Sequence, residues 1–206
     1  METTILEPTE QISRTGIMEN LYKTLCNAIC NGQATGAKKW LAEKKLSVEA
    51  TGVCYNSGEF HQGKSEAYKE TLISIGFLSP SGLQKGNIKN YRSLLKYAML
   101  FPLRNEKNHI VNFYAIGIKD GKTAFMSKEG IYPGYPKEGT KKLYLVNTIL
   151  EAATLLESKI LKKGEAVIAL FDGTITPQHY KAIAQCKAIA EIILLDSNKN
   201  EDHAKR

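Results

Sequence analysis

The chain has 206 residues, 43% apolar and 24% charged, with a formal net charge of +7 and a pI near 9.1. That length allows one large domain or two small ones, and no run reaches the roughly 18 apolar residues that a membrane helix needs. The basic balance is compatible with a polyanionic partner. The polar, acidic start METTILEPTEQISRTG lacks a basic-then-apolar signal pattern, so a cytoplasmic location without membrane association is expected.

In chain order, residues 1–16 read as a loosely attached lead. GIMENLYKTLCNAICN (16–31) repeats apolar residues at helical spacing, with Ile17, Leu21, Leu25, Ala28 and Ile29 on one face. After the break NGQATG, AKKWLAEKKL (37–46) predicts a second helix with Trp40 as a core anchor. GVCYNSGEF (52–60) reads as a short strand ending in an Asn-Ser-Gly turn. SEAYKETLISIGFL (65–78) reads as a helix capped by Ser65 and ended by Gly76. SPSGLQKGNIKN (79–90) is dense in turn residues and is expected to be a loop. LLKYAMLFPLR (94–104), HIVNFYAIGI (109–118) and TAFMS (123–127) are strand-like runs separated by NEKN and by Lys119-Asp120-Gly121-Lys122. Asp-Gly is a hairpin signal, so these runs predict an antiparallel meander. GIYPGYPKEGTKK (130–142) is the connector that follows.

From Leu143 the pattern changes. LYLVN (143–147), AVIALF (166–171) and EIILLD (191–196) are apolar throughout, and two helical patterns separate them. The second helix has Thr176 as N-cap and Pro177 at its first position. Apolar strands alternating with helices predict a parallel βαβαβ unit whose sheet is covered on both faces. Ligands of such sheets bind beyond the carboxyl ends of the strands. Those ends are Asn147-Thr148, Asp172-Gly173-Thr174 and Asp196-Ser197-Asn198.

Several familiar chemistries lack support. Cys26, Cys30, Cys54 and Cys186 form no Cys-x-x-Cys pair, and none of the four histidines stands at zinc-finger spacing. No serine has the Gly-x-Ser-x-Gly context of a hydrolase nucleophile. Gly58-Glu59-Phe60-His61-Gln62-Gly63-Lys64-Ser65 satisfies the spacing of a phosphate-binding loop. Its intervening residues are bulky, however, GVCYNS makes a poor buried strand before it, and no matching strand ending in Asp follows.

YNSGEFHQG (55–63), the helix ending in Gly76-Phe77-Leu78, FPLRNEKNHIVNFYAIGI (101–118), GIYPGYP (130–136) and LYLVNTILEAATLL (143–156) occur in an order that resembles the catalytic core of bacterial replicative primases. Within that group, the chain resembles the primase-like toprim proteins of Bacteroidetes mobile elements. The resemblance spans roughly residues 35–203 and lies in five weak pieces rather than one sharp motif. It implies an α/β chain in three parts: a lead and helix (1–34), a helical and antiparallel-sheet subdomain (35–142), and a truncated toprim-like βαβαβ domain (143–206). It also implies a role in DNA replication or mobile-element maintenance. The partners it implies are single-stranded DNA or a DNA–RNA hybrid and a replication or mobilisation protein.

In the family, a glutamate ending the first toprim strand and an Asp-x-Asp ending the third bind Mg²⁺ for nucleotidyl transfer. Here the glutamate falls on Asn147, and the Asp-x-Asp falls on Asp196-Ser197-Asn198 or, in a rival alignment, on Asp172-Gly173-Thr174. A basic residue of the antiparallel part falls near Ile116, and an asparagine near Lys128. Glu151, Asp172 and Asp196 are the acids left for catalysis or metal binding. Two readings stay open: a rebuilt Mg²⁺ site made from these three, or solvated and capping carboxylates with no cofactor. For nucleic acid, Lys85, Lys89, Arg92, Lys96, Arg104, Lys141 and Lys142 are the candidate phosphate contacts, because cations near a groove neutralise phosphates and interleaved tyrosines can stack on bases.

Overall fold

The computed structural model describes residues 13–30, 34–84 and 88–195. Three helices open it: α1 (Arg14–Cys30), α2 (Thr35–Lys44) and the single turn α3 (Val48–Thr51). β1 (Cys54–Asn56), α4 (Glu66–Ser74), β2 (Leu78–Gln84) and β3 (Ile88–Ser93) follow. The meander is β4 (Ala98–Arg104), β5 (Ile110–Gly117) and β6 (Thr123–Phe125). The last part is β7 (Lys142–Val146), α5 (Ile149–Ser158), β8 (Glu165–Ala169), α6 (Pro177–Gln185) and β9 (Glu191–Leu195).

The expected meander gains a strand. β1 adds antiparallel to β4, giving the order β1-β4-β5-β6. Strand alternation then sorts side chains to two faces. Leu100, Phe113 and Ala115 face a cluster with Met18, Leu21 and Leu25 of α1 and Leu72 of α4. Met99, Phe101, Tyr114 and Ile116 face the opposite cluster, with Trp40 of α2 and Ile149, Ala152 and Ala153 of α5. Trp40 is therefore the anchor its sequence context suggested.

The βαβαβ unit forms as expected, with all three strands parallel in the order β8-β7-β9. One face packs on α5 through Val146, Val167 and Ala169. The other packs on α6, where Ala182 meets Leu143, Leu145 and Ile168. Coverage on both faces does not reach β9. Ile192 and Leu194 share a face with Leu143 and Leu145, yet they are 47% and 59% exposed, because α6 lies over β7 and β8.

Two other expectations change. Residues 79–90 are not a loop: β2 and β3 pair as an antiparallel hairpin, with an irregularity between Pro80 and Leu83. The strand expected from residue 94 starts only at Ala98, after a left-handed residue at Tyr97.

The connector joins the two sheets. Ile131 bridges to Arg104 at the end of β4, and the next residue, Tyr132, bridges to Ala169 at the end of β8. Tyr132 is fully buried, sits edge-on to Phe101 and donates its phenol proton to the Thr51 carbonyl at 2.8 Å. Gly130 permits this close passage. Its φ is +78°, and a Cβ there would lie 2.8 Å from Val111 Cγ2 and 2.9 Å from Leu103 Cβ. No helix among the described residues is long and apolar enough to cross a membrane.

Candidate functional site

β7 ends at Val146, so Asn147 is the first residue past the carboxyl end of the central strand. Thr148 then caps α5. Its hydroxyl accepts from the Glu151 amide at 3.2 Å, and the Glu151 carboxylate accepts from the Thr148 amide at 3.0 Å. This is a reciprocal capping box. It satisfies two amides that the first helical turn leaves without intrahelical partners, and it engages the carboxylate of Glu151 in local structure.

Asp172 sits in a turn of a different kind. Asp172 and Gly173 both have positive φ, 51° and 75°, and the Thr174 amide donates to the Phe171 carbonyl at 3.0 Å. Two left-handed central residues are the pattern of a type I′ turn, which Asp-Gly suits. The Gly173 amide also donates to the Asn147 carbonyl at 3.1 Å. The turn is thereby tied to the tip of β7, and exposed Asp172 is brought beside Asn147. Asp196, the third candidate acid, lies outside the described residues, as do Ser197 and Asn198. Among the described residues, no group of three or more His, Cys, Asp or Glu side chains could hold a metal ion.

His179, one of the four histidines without zinc-finger spacing, holds this end of the sheet together. Thr176 caps α6 with His179 in the position usually taken by glutamate. The ring is fully buried. Its Nδ1 accepts from the Thr176 amide at 2.9 Å, and its Nε2 donates to the Ala169 carbonyl at 2.9 Å, which assigns the neutral Nε2–H tautomer. Burial pulls its pKa below the ordinary histidine value.

A cleft of about 430 Å³ opens at these tips, between the antiparallel sheet and the start of α5. Trp40, Lys44, Tyr114, Ile116, Thr148 and Asp172 are among its walls. Tyr114 is held in the un-ionised form mainly by burial, with the Asp172 carboxylate adding to the effect. Three aromatic rings cluster beside the cleft. Tyr114 and Phe171 lie nearly parallel at 6.0 Å between centroids, and Phe125 tilts against both at 5.5 and 5.8 Å. No single segment carries this cluster. Its sequence signal is the alternation that puts Tyr114 and Phe125 on one face, once the Asp-Gly turn has set the register.

The candidate phosphate contacts are dispersed. Lys89 and Arg92 lie exposed on β3, while Lys85 falls outside the described residues. Lys96 pairs with Glu59 at 2.5 Å. Arg104 donates to the Asn108 carbonyl at 2.9 Å. Lys142 pairs with Glu191 at 3.1 Å. Lys141 lines a larger cleft of about 770 Å³ with Tyr135, Lys137, Lys163 and Glu165, at the amino end of the parallel sheet. That cleft faces away from the strand tips.

No family model matches the sequence, and no curated protein matches it. Solved structures do. The DnaG primase catalytic domain bound to ssDNA superposes with a TM-score of 0.67 at 13% identity, over 93% of this chain and 64% of that one. A DNA primase domain from Pseudomonas aeruginosa gives 0.68 at 12%, over 93% of this chain and 64% of that one. The RNA polymerase domain of Mycobacterium tuberculosis primase DnaG, in complex with double-stranded DNA, gives 0.64 at 12%, over 93% and 66%. The chain thus spans about two thirds of the length of these proteins. At such identities the likeness is one of architecture: the helical and antiparallel part followed by a parallel three-stranded sheet is the fold of the bacterial primase catalytic core.

Proposed function

We propose that this chain is a primase-core protein of DNA replication or mobile-element maintenance that acts by holding nucleic acid, its toprim-type metal chemistry having been lost. The observation that carries the reading is the chemistry at the β7 tip. On the primase resemblance, an amide, Asn147, directly after β7, takes the place of the strand-end glutamate. Of the two described acids nearby, Glu151 accepts from the Thr148 amide and Asp172 projects from an exposed turn. Mg²⁺ prefers anionic oxygens in near-ideal octahedral geometry. Among the described residues, the donor set of one amide, one capping carboxylate and one turn carboxylate does not fit it. For binding, the support is the net charge of +7 and the two DNA-bound primase structures of the same fold.

The rival reading is a metal-dependent nucleotidyltransferase that uses Asp196, Asp172 and Glu151 as a rebuilt acidic site. One assay separates them. The purified chain is given a single-stranded template and nucleotides with Mg²⁺, and in parallel with Mn²⁺, which tolerates neutral ligands better. No primer synthesis is expected with either metal. Synthesis that Asp196→Ala abolishes would overturn the proposal. A binding titration runs alongside, and affinity for single-stranded DNA should fall as salt rises, because each phosphate contact releases counterions.

A further inference from the structure

The aromatic cluster at the cleft has a feature that core packing does not explain. Tyr114 is 6% exposed, as a sheet-face residue should be, but Phe125 directly across from it is 40% exposed. Phe125 rests against Tyr114 and Phe171, and Phe171 in turn rests against the buried ring of His179 at 5.4 Å. A phenyl ring is thus held from behind by rings of both sheets, with its outer surface in water. The supporting rings fix its orientation. Fixed aromatic faces beside a groove are how proteins hold the bases of single strands, at roughly 1–3 kcal/mol per stacked base.

We infer that Phe125, backed by Tyr114 and Phe171, is a stacking platform for the bases of single-stranded nucleic acid, with one base entering the 430 Å³ cleft bounded by Trp40, Lys44 and Asp172. This rests on the nucleic-acid reading above and specifies how the strand is recognised. The charges favour a base over a phosphate inside. Glu43, Lys44 and Asp172 line the cleft, so two carboxylates face one ammonium there. A phosphodiester would meet net repulsion, whereas a neutral base meets rings and apolar wall. Phosphates fit better outside, along the β5–β6 turn, where Lys119 is exposed and Lys122 keeps 75% of its side chain in solvent beside Asp120. The volume lies within the roughly 300–1,000 Å³ typical of small-molecule sites. Duplex DNA, whose bases are already stacked, has nothing to offer the platform.

The test compares three fluorescently labelled probes of equal length at low salt by anisotropy: an oligo-dT strand, the same sugar-phosphate backbone without bases, and a duplex. The oligo-dT strand should bind at least about tenfold more tightly than either of the others, the size expected from one or two stacked bases. Phe125→Ala should cost about tenfold on oligo-dT and little on the abasic strand. Phe125→Leu keeps apolar volume at this half-exposed position and should behave like Phe125→Ala, while Phe125→Tyr keeps the ring and should retain affinity. Equal binding of oligo-dT and abasic strands, or unchanged oligo-dT affinity in Phe125→Leu, would overturn the platform and leave nucleic-acid binding standing. Failure of every probe to bind would overturn both.

Discussion

His179 makes fold stability depend on pH in a direction that can be stated in advance. In the folded chain both ring nitrogens are engaged, one accepting from Thr176 and one donating to Ala169, and the ring is out of water. A proton added at Nδ1 would face the Thr176 amide, remove a hydrogen bond and place a charge in an apolar site. The folded pKa is accordingly depressed, while the unfolded ring titrates near about 6.5. Between those values the unfolded chain carries the extra proton. Stability from His179 is therefore complete above about pH 6.5 and declines as pH falls toward the folded pKa. His61 acts in the same sense, since burial lowers its pKa and its Nδ1 has no hydrogen-bond partner among the described residues. His179→Gln isolates the effect. A glutamine can still accept from the Thr176 amide in an ordinary capping box, but it cannot also reach the Ala169 carbonyl. The loss is one buried hydrogen bond with an orphaned acceptor, about 1–3 kcal/mol at pH 8. Urea unfolding followed by circular dichroism at pH 8, 7, 6 and 5 reads both quantities. The gap between wild type and His179→Gln should narrow on acidification, because only wild type loses the His179 contribution. A gap that stays constant with pH, or a wild type that grows more stable from pH 7 to 5.5, would refute the assignment.

Asn112 is fully buried and donates to the Ser127 and Glu129 carbonyls while accepting from the Met126 amide. Asn112→Ala orphans all three, and thermal unfolding should show a loss of about 2–4 kcal/mol. Tyr132→Phe removes only the bond to Thr51 and should cost about 1–2 kcal/mol with the fold intact, read by the same melts. Asn147→Glu combined with Asn198→Asp adds two carboxylates, one at the β7 tip and one at a position outside the described residues. It should raise Mg²⁺ affinity, measured by calorimetry, from the millimolar range or weaker by about tenfold or more.

The parallel unit was legible because its signals agree at every level. Three runs apolar throughout read as strands of a parallel sheet, although the third, β9, is left half-exposed, and Thr176-Pro177 marks where the second helix starts. The hairpin of β2 and β3 was missed for the opposite reason. Ser79, Pro80, Ser81 and Gly82 are exposed turn formers, and the backbone ladder holds them in a strand that their side chains do not advertise. Gly82, at φ +107°, sits in the stretch where the register shifts. The four-residue α3 was too short to leave a period. At the site, the tips were readable from topology, but the roles of their residues were not. The sequence left Glu151 open between a ligand and a capping acid because a capping box and a ligand carboxylate share the same residue type, and the structure shows the capping box. The cluster of Tyr114, Phe125 and Phe171 joins segments more than 40 residues apart, and only packing reveals it.

On the proposed reading, the strand tips are free to change chemistry. The core that joins the two sheets runs through Tyr132, Phe101 and Val146, and none of its members is a candidate acid. Asn147 and Asp172 lie past the strand ends, where a carboxylate or an amide alters local charge without opening a cavity. Carboxylates gathered for a metal repel one another when the metal is absent, so replacing them with amides lowers that cost in the free protein. A chain that no longer needs the metal can keep the fold at little expense in stability. On the proposed reading this chain kept the cleft, and lysines such as Lys119 and Lys122 outside it, and gave up the charge that would hold Mg²⁺. Its affinity for a strand then has to come from groups that need no metal, namely ammonium groups for phosphates and rings for bases. Base contacts weaken far less with salt than phosphate contacts do. The residual affinity for single strands at high salt, compared between wild type and Phe125→Leu, therefore measures how far rings have taken over from charge.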